Sequence, residues 1–258
     1  MTKPPPIRAI ACAAFMNYPS PYLKPPTRPP VKKRIELACL LAIGIAPFYL
    51  NGFYNSPLAK ADRSKFWLVE ILTWIAMPTA LLLIGRYRRL YTWTDLGLTT
   101  NVRGTHHPWL LLALLFAVPC AMLRLDVSVS AWAEATLPSG WPLPPFRYID
   151  VIPPPGPDSG PFRLLSLAHL CLTAGIVEEL YYRAAISRLF PHGRLSSLAY
   201  IIISSIVFAG AHWEGGLPQL AETFAFGILA ASLFRLTGNL FPLIIGHIIT
   251  DWYWFAVA

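Results

Sequence analysis

The run "VEELYYRAAI", Val177 to Ile186, places two adjacent carboxylates and a guanidinium inside an otherwise apolar stretch. Glu179 and Arg183 stand at i and i+4, so an α-helix brings them to one face with the acid N-terminal to the base, the better orientation for an ion pair. Glu178 is turned about 100° away from Glu179 in such a helix and has no local counter-charge. Burial disfavours the charged form of an unpartnered carboxylate, which lets such a group exchange protons near neutral pH. Glu178 is therefore the candidate for chemistry, and Glu179 with Arg183 its support. A position in the headgroup region would explain both acids without chemistry, but the apolar residues before Glu178 and Ala184, Ala185 and Ile186 after Arg183 weigh against it.

Two later segments carry further chemistry. In "FAGAHW" Phe208 and His212 are one turn apart, ahead of a helix end marked by "EGG"; a histidine so placed is a catalyst or a satisfied packing group. In "GHIITDWYW" His247 and Asp251 occupy i and i+4 and point the same way, which fits either a structural hydrogen bond or part of a site. His169 precedes Glu178 by nine residues, falls on the opposite helix face and reads as a packing histidine. Glu222 belongs either to the site or to the outer boundary of its helix. The terminal aromatics after Asp251 line a groove or anchor the last helix, and anchoring is favoured.

The elements that must position these residues follow from composition. Of 258 residues 55% are hydrophobic and 13% charged, outside the range of a soluble globular domain. The chain reads as an all-α polytopic transmembrane bundle. Candidate spans, each needing about 20 mostly apolar residues, lie near 35–54, 66–85, 108–125, 162–190, 196–213, 219–236 and 239–257. Seven spans are expected, the third being short and flanked by Arg124 and Asp126. No internal repeat and no soluble domain is evident.

Residues 1–34 mix prolines with basic residues, a composition that neither propagates a helix nor buries a core, and a disordered cytoplasmic tail is expected. The transmembrane domain is then 35–258, with its motif-bearing core at 162–258. A second proline-rich interruption, 126–161, is expected outside the membrane, with Trp132, Trp141, Phe146 and Tyr148 suited to the interface. The formal charge of +8 does not point to nucleic acid, because the basic residues collect between spans. That distribution is a topology signal and places the N-terminus inside and the C-terminus outside. Cys12, Cys39, Cys120 and Cys171 are scattered, as neither a disulfide framework nor a thiolate zinc site would be.

Depth links the three segments. Counted from the cytoplasmic helix ends at 1.5 Å per residue, Glu178 lies roughly 18 Å in, His212 roughly 24 Å, His247 roughly 12 Å and Asp251 roughly 18 Å. All fall within a hydrocarbon layer about 30 Å thick. Ionisable residues at such depth face a protein interior or a hydrated cavity, so separate helices bring acid, base and hydrogen-bonding groups to one level.

Taken in order, "EELYYR" (Glu178, Glu179, Arg183), "FAGAH" (Phe208, His212), "FAFG" (Phe224, Gly227) and "HIITD" (His247, Asp251) resemble the successive motifs of the CAAX-protease and bacteriocin-processing family of intramembrane proteases, over about 162–258. The resemblance implies that Glu178 and His212 activate the attacking water and that His247 and Asp251 bind the oxygen of the tetrahedral intermediate. Asparagine is frequent at the last position in that family, so Asp251 is a departure. A carboxyl there stabilises an oxyanion only when protonated, or acts by orienting His247.

Peptide hydrolysis needs a water, a group to deprotonate it, a proton for the leaving amine and donors aimed at the oxyanion. Glu178, His212 and His247 can supply these without a metal, and the same residues with Asp251 can ligate zinc. No HExxH helix is present, and the metal-free reading is favoured. The expected function is an intramembrane endopeptidase acting near the C-terminal tail or leader of a membrane-associated protein or peptide, in a bacterial cytoplasmic membrane. The rival is a non-catalytic immunity or scaffold protein that retains the fold; intact motifs argue against it. A proton-relaying transporter is a third reading, but no matching broken helices mark two repeated halves.

Overall fold

In the computed structural model, residues 30–102, 107–138, 152 and 160–257 are described. Helix α1 spans Val31–Ala61. Helix α2 (Arg63–Ile71) runs through a π-turn at Leu72–Ala76 into α3 (Met77–Tyr87), and α4 is Pro108–Thr136. Helix α5 (Gly160–Thr173) continues as a π-helix over Ala174–Ala185, followed by α6 (Arg194–Gly210), α7 (Gly216–Thr237) and α8 (Phe241–Trp252), which ends in a π-turn at Tyr253–Val257. The described chain is a helical bundle, as composition required.

Among the described residues, five helices are long and apolar enough to cross a membrane: Val31–Asn51, Ser64–Tyr87, Pro108–Thr136, Gly160–Ala185 and Trp213–Thr237. Of the seven expected spans these account for five, and the other two correspond to the shorter helices α6 and α8. Arg194–Gly210 is apolar but has 17 residues, and α8 has 12, about 18 Å of regular helix against a layer of about 30 Å. Large apolar side chains such as Leu50, Leu68, Phe116, Leu165 and Ile206 point outward, a surface suited to lipid rather than water. The protein is an integral membrane protein.

Two boundaries differ from those read in the sequence. Helix α1 begins at Val31 and so takes in Lys32, Lys33 and Arg34, which the tail 1–34 was expected to hold; residues 1–29 lie outside the described residues. Helix α4 continues to Thr136 and carries Asp126 within it, where a loop had been expected from 126. The buried Asp126 is tolerated there because Trp254 Nε1 donates to its Oδ2 at 2.6 Å and Glu222 shares a hydrogen bond with it. Trp132 lies on α4 and is exposed, whereas Trp141, Phe146 and Tyr148 fall outside the described residues.

Packing places the π-helix at the centre. Phe48 of α1 stacks on Trp74 at 4.4 Å and meets Tyr181 edge-on at 6.2 Å. Gly44 makes this possible, since a Cβ there would sit 2.3 Å from the Tyr181 ring. On the other side α8 lies so close that a Cβ on Gly175 would be 2.5 Å from Ile248 Cγ1 and 3.2 Å from the Ile244 carbonyl oxygen. Helices α6 and α7 pack together at Gly227, where a Cβ would come within 3.0 Å of Ser205 Cα. These glycines set helix separations that larger residues would widen.

The start of α8 is pinned by Asn239. Helix α7 ends on Gly238 in the left-handed conformation at φ 62°, whose N–H bonds the Phe234 carbonyl. Asn239 Oδ1 then caps α8 by accepting from Phe241 N, while its Nδ2 donates to the Thr99 and Asn101 carbonyls at 2.7 and 3.1 Å. Asn239→Ala strips these partly buried hydrogen bonds of their shared partner. It is expected to cost about 1–3 kcal/mol, read as a lower thermal midpoint in detergent; an unchanged midpoint would contradict the pinning role.

Candidate active site

The π-helix decides the site's geometry. Its wider turn is visible where the Ile186 N–H reaches the Tyr181 carbonyl five residues back. Carbonyls along it find side-chain donors: Tyr200 Oη to Arg183 O at 3.0 Å, Ser204 Oγ to Tyr182 O at 2.6 Å and Ser187 Oγ to Ala184 O at 2.6 Å. Tyr200 and Ser204 both come from α6, so that helix holds the irregular backbone in place. Such segments occur often at functional sites.

The expectation of two glutamates diverging on a regular α-helix is corrected by this geometry, because both reach the same imidazole. His247 Nδ1 donates to Glu179 Oε1 at 2.9 Å. The other nitrogen, Nε2, lies 3.7 Å from Glu178 Oε2 and 3.7 Å from Asp251 Oδ1. The i,i+4 pairs predicted from spacing are present. Arg183 Nε is 3.4 Å from Glu179 Oε2 with both side chains fully buried, and Asp251 faces His247 from one turn on. Glu179 is thus a hub, one oxygen on His247 and the other towards Arg183.

Phe208 is the platform between the histidines. The Arg183 guanidinium lies 4.0 Å above its ring, a cation–π contact that gives a buried charge a second partner. Its ring is 4.8 Å from His212 and 6.0 Å from His247. The Phe208 carbonyl accepts from His212 Nδ1 at 3.0 Å, which leaves Nε2 as the imidazole's acceptor. Glu178 is within electrostatic reach of both histidines. Glu178, His212, His247 and Asp251 are therefore gathered at one place, as matching depth in separate helices implied.

Phe224 is different. It is 38% exposed, and the ring that reaches the site is Phe226, 5.0 Å from His247 and 5.8 Å from the Arg183 guanidinium. Gly227 serves the α6–α7 crossing. Phe226 was legible in principle, since Thr223, Phe226 and Ala230 recur at helical spacing as the buried stripe of α7.

Three polar clusters lie around this centre. Glu222 faces α4, where it hydrogen-bonds Asp126 and Ser130. Trp254 Nε1 donates to Asp126 of the same cluster. His169, read as a packing histidine, lies 3.8 Å from Glu70 on α2 and edge-on to Trp67 at 5.4 Å. Glu214 hydrogen-bonds Asn51 of α1. Asp126 and Glu70 each stand alone in apolar runs, so the sequence shows the charges but not their partners.

Cys39, Cys120 and Cys171 are free thiols. Among the described residues no three His, Cys, Asp or Glu side chains are grouped as a metal ion requires. His247 Nδ1 is committed to Glu179 and His212 Nδ1 to a carbonyl, which leaves Nε2 as the available nitrogen of each ring.

Comparison with known proteins agrees with the motif reading. The family model described as Type II CAAX prenyl endopeptidase Rce1-like matches residues 160–253. That segment runs from the start of α5 to the end of α8 and contains Glu178, His212, His247 and Asp251. No curated protein and no solved structure matches the chain. Over residues 160–253 the chain is thus similar to the Rce1-like CAAX prenyl endopeptidases.

Proposed function

We propose that this protein is an intramembrane endopeptidase that hydrolyses a peptide bond near the C-terminal tail or leader of a membrane-associated protein. The observation that carries the reading is the gathering of Glu178 and Asp251 about His247 Nε2, each at 3.7 Å, with His212 beside them. Glu178 takes a proton from water, and His212 Nε2 orients that water. The oxygen adds to the scissile carbonyl, and the resulting oxyanion meets the imidazole of His247. Glu179 holds that imidazole through Nδ1. Asp251 orients it from the other side. Collapse of the intermediate breaks the C–N bond, and the leaving amine takes the proton carried by Glu178.

The metal-free reading is supported by the spacing of the side chains, since among the described residues no three His, Cys, Asp or Glu are grouped as a metal ion requires. The matched family name points to a prenylated tail as substrate class; in a bacterial membrane a leader or a C-terminal sorting tail meets the same chemistry. The topology reading places the N-terminus in the cytoplasm. Basic residues are tied together at that end of the bundle: Lys33 to the Arg89 carbonyl, Arg34 to the Leu189 carbonyl, Arg88 to Glu36 and Arg188 to Asp95.

The test is release of the tail from a farnesylated C-a-a-X peptide in vesicles carrying the purified protein. Release by wild type and not by Glu178→Ala supports the proposal. Equal release by both rejects Glu178 as the activator of water. Loss of release with a chelator, restored by zinc, moves the mechanism to a metal.

A further inference from the structure

Tyr182 carries a hydroxyl that the reaction above leaves unused. Its side chain is 0% exposed. The ring sits edge-on to Phe208 at 5.3 Å and tilted against Phe48 at 6.3 Å. Among the described residues its Oη has no hydrogen-bond partner. Other tyrosines of the bundle are satisfied: Tyr49 by the Val207 carbonyl, Tyr91 by Leu82, Tyr181 by Pro78 and Tyr200 by Arg183. An orphan buried hydroxyl is costly, and phenylalanine would pack the same rings without that cost.

Placement gives the hydroxyl a use. Tyr182 follows Glu178 by four residues on the π-helix, and its phenol lies within electrostatic reach of Glu178. Glu178 Oε2 is likewise buried without a hydrogen bond. A buried donor and a buried acceptor, both without a hydrogen bond, therefore stand about one turn apart on this segment, and Phe208 packs against both the Tyr182 and the His212 rings.

We propose that Tyr182 Oη is a hydrogen-bond donor to the oxygen that Glu178 activates. It holds the attacking water before reaction and the same oxygen while that atom bonds to the scissile carbonyl carbon. The water proton goes to Glu178 and then to the leaving amine as the C–N bond breaks. Tyr182 keeps its own proton throughout. This inference rests on the hydrolytic reading given above.

The test is Tyr182→Phe, assayed with the farnesylated peptide beside Glu178→Ala and melted in detergent beside wild type. The phenylalanine variant is expected to lose about a hundredfold in kcat with little change in KM, and to melt at or above the wild-type temperature. Wild-type kcat in Tyr182→Phe, with Glu178→Ala inactive, overturns the role of Tyr182 alone. Activity in Glu178→Ala overturns the hydrolytic reading beneath it. A lowered melting temperature in Tyr182→Phe, whatever its activity, overturns the proposal by making the hydroxyl structural.

Discussion

Glu178→Gln is expected to fold as wild type and to lose about 10²–10⁴-fold in hydrolytic rate, the usual contribution of a positioned general base. The amide keeps the volume of the carboxylate but cannot take a proton from water. Little stability should go with it. Glu178 Oε2 makes no hydrogen bond among the described residues and stands 3.7 Å from His247 Nε2, so its loss leaves no donor stranded. Activity and folded yield are to be measured on the same preparation. Undiminished turnover would remove Glu178 from the chemistry, and a collapsed yield would make it structural.

Its neighbour should behave in the opposite way. Glu179→Ala leaves the fully buried Arg183 with aromatic faces as its remaining partners and frees His247 Nδ1. Breaking one side of a buried ion pair costs about 3–5 kcal/mol, enough to reduce most marginal folds. Folded yield in detergent should fall sharply, with activity falling alongside it. Removing both charges, as in the double variant Glu179→Gln with Arg183→Met, should be milder than Glu179→Ala, because no uncompensated charge remains. Equal damage from the two would show that the ion pair is not what the site depends on. Two adjacent glutamates thus separate into one that governs rate and one that governs stability.

Much of this was legible in the sequence. Helix count, the location of the chemistry in the C-terminal portion, and the pairs Glu179–Arg183 and His247–Asp251 all follow from period and spacing. Convergence of Glu178 and Glu179 on one histidine was not, because a period of 3.6 was assumed where the backbone adopts a wider turn. That turn depends on Tyr200 and Ser204 from another helix and on Gly175 yielding to α8, contacts that no local pattern announces. Asp126 was misplaced for a related reason: a charge at the end of an apolar run looks like a boundary until Trp254, far along the chain, is seen to bind it. Phe224 was taken from a motif by similarity, whereas burial selects Phe226.

The widened turn also bears on how this segment tolerates change over evolutionary time. Within Ala174–Ala185 Ile176 is the exposed position, and an apolar substitution there alters the contact with lipid and little else. Loss of a single residue upstream of Glu178 is another matter: a regular ladder could then re-form, swinging one acid off the imidazole without altering any functional side chain. Length, as much as residue identity, is therefore under constraint here.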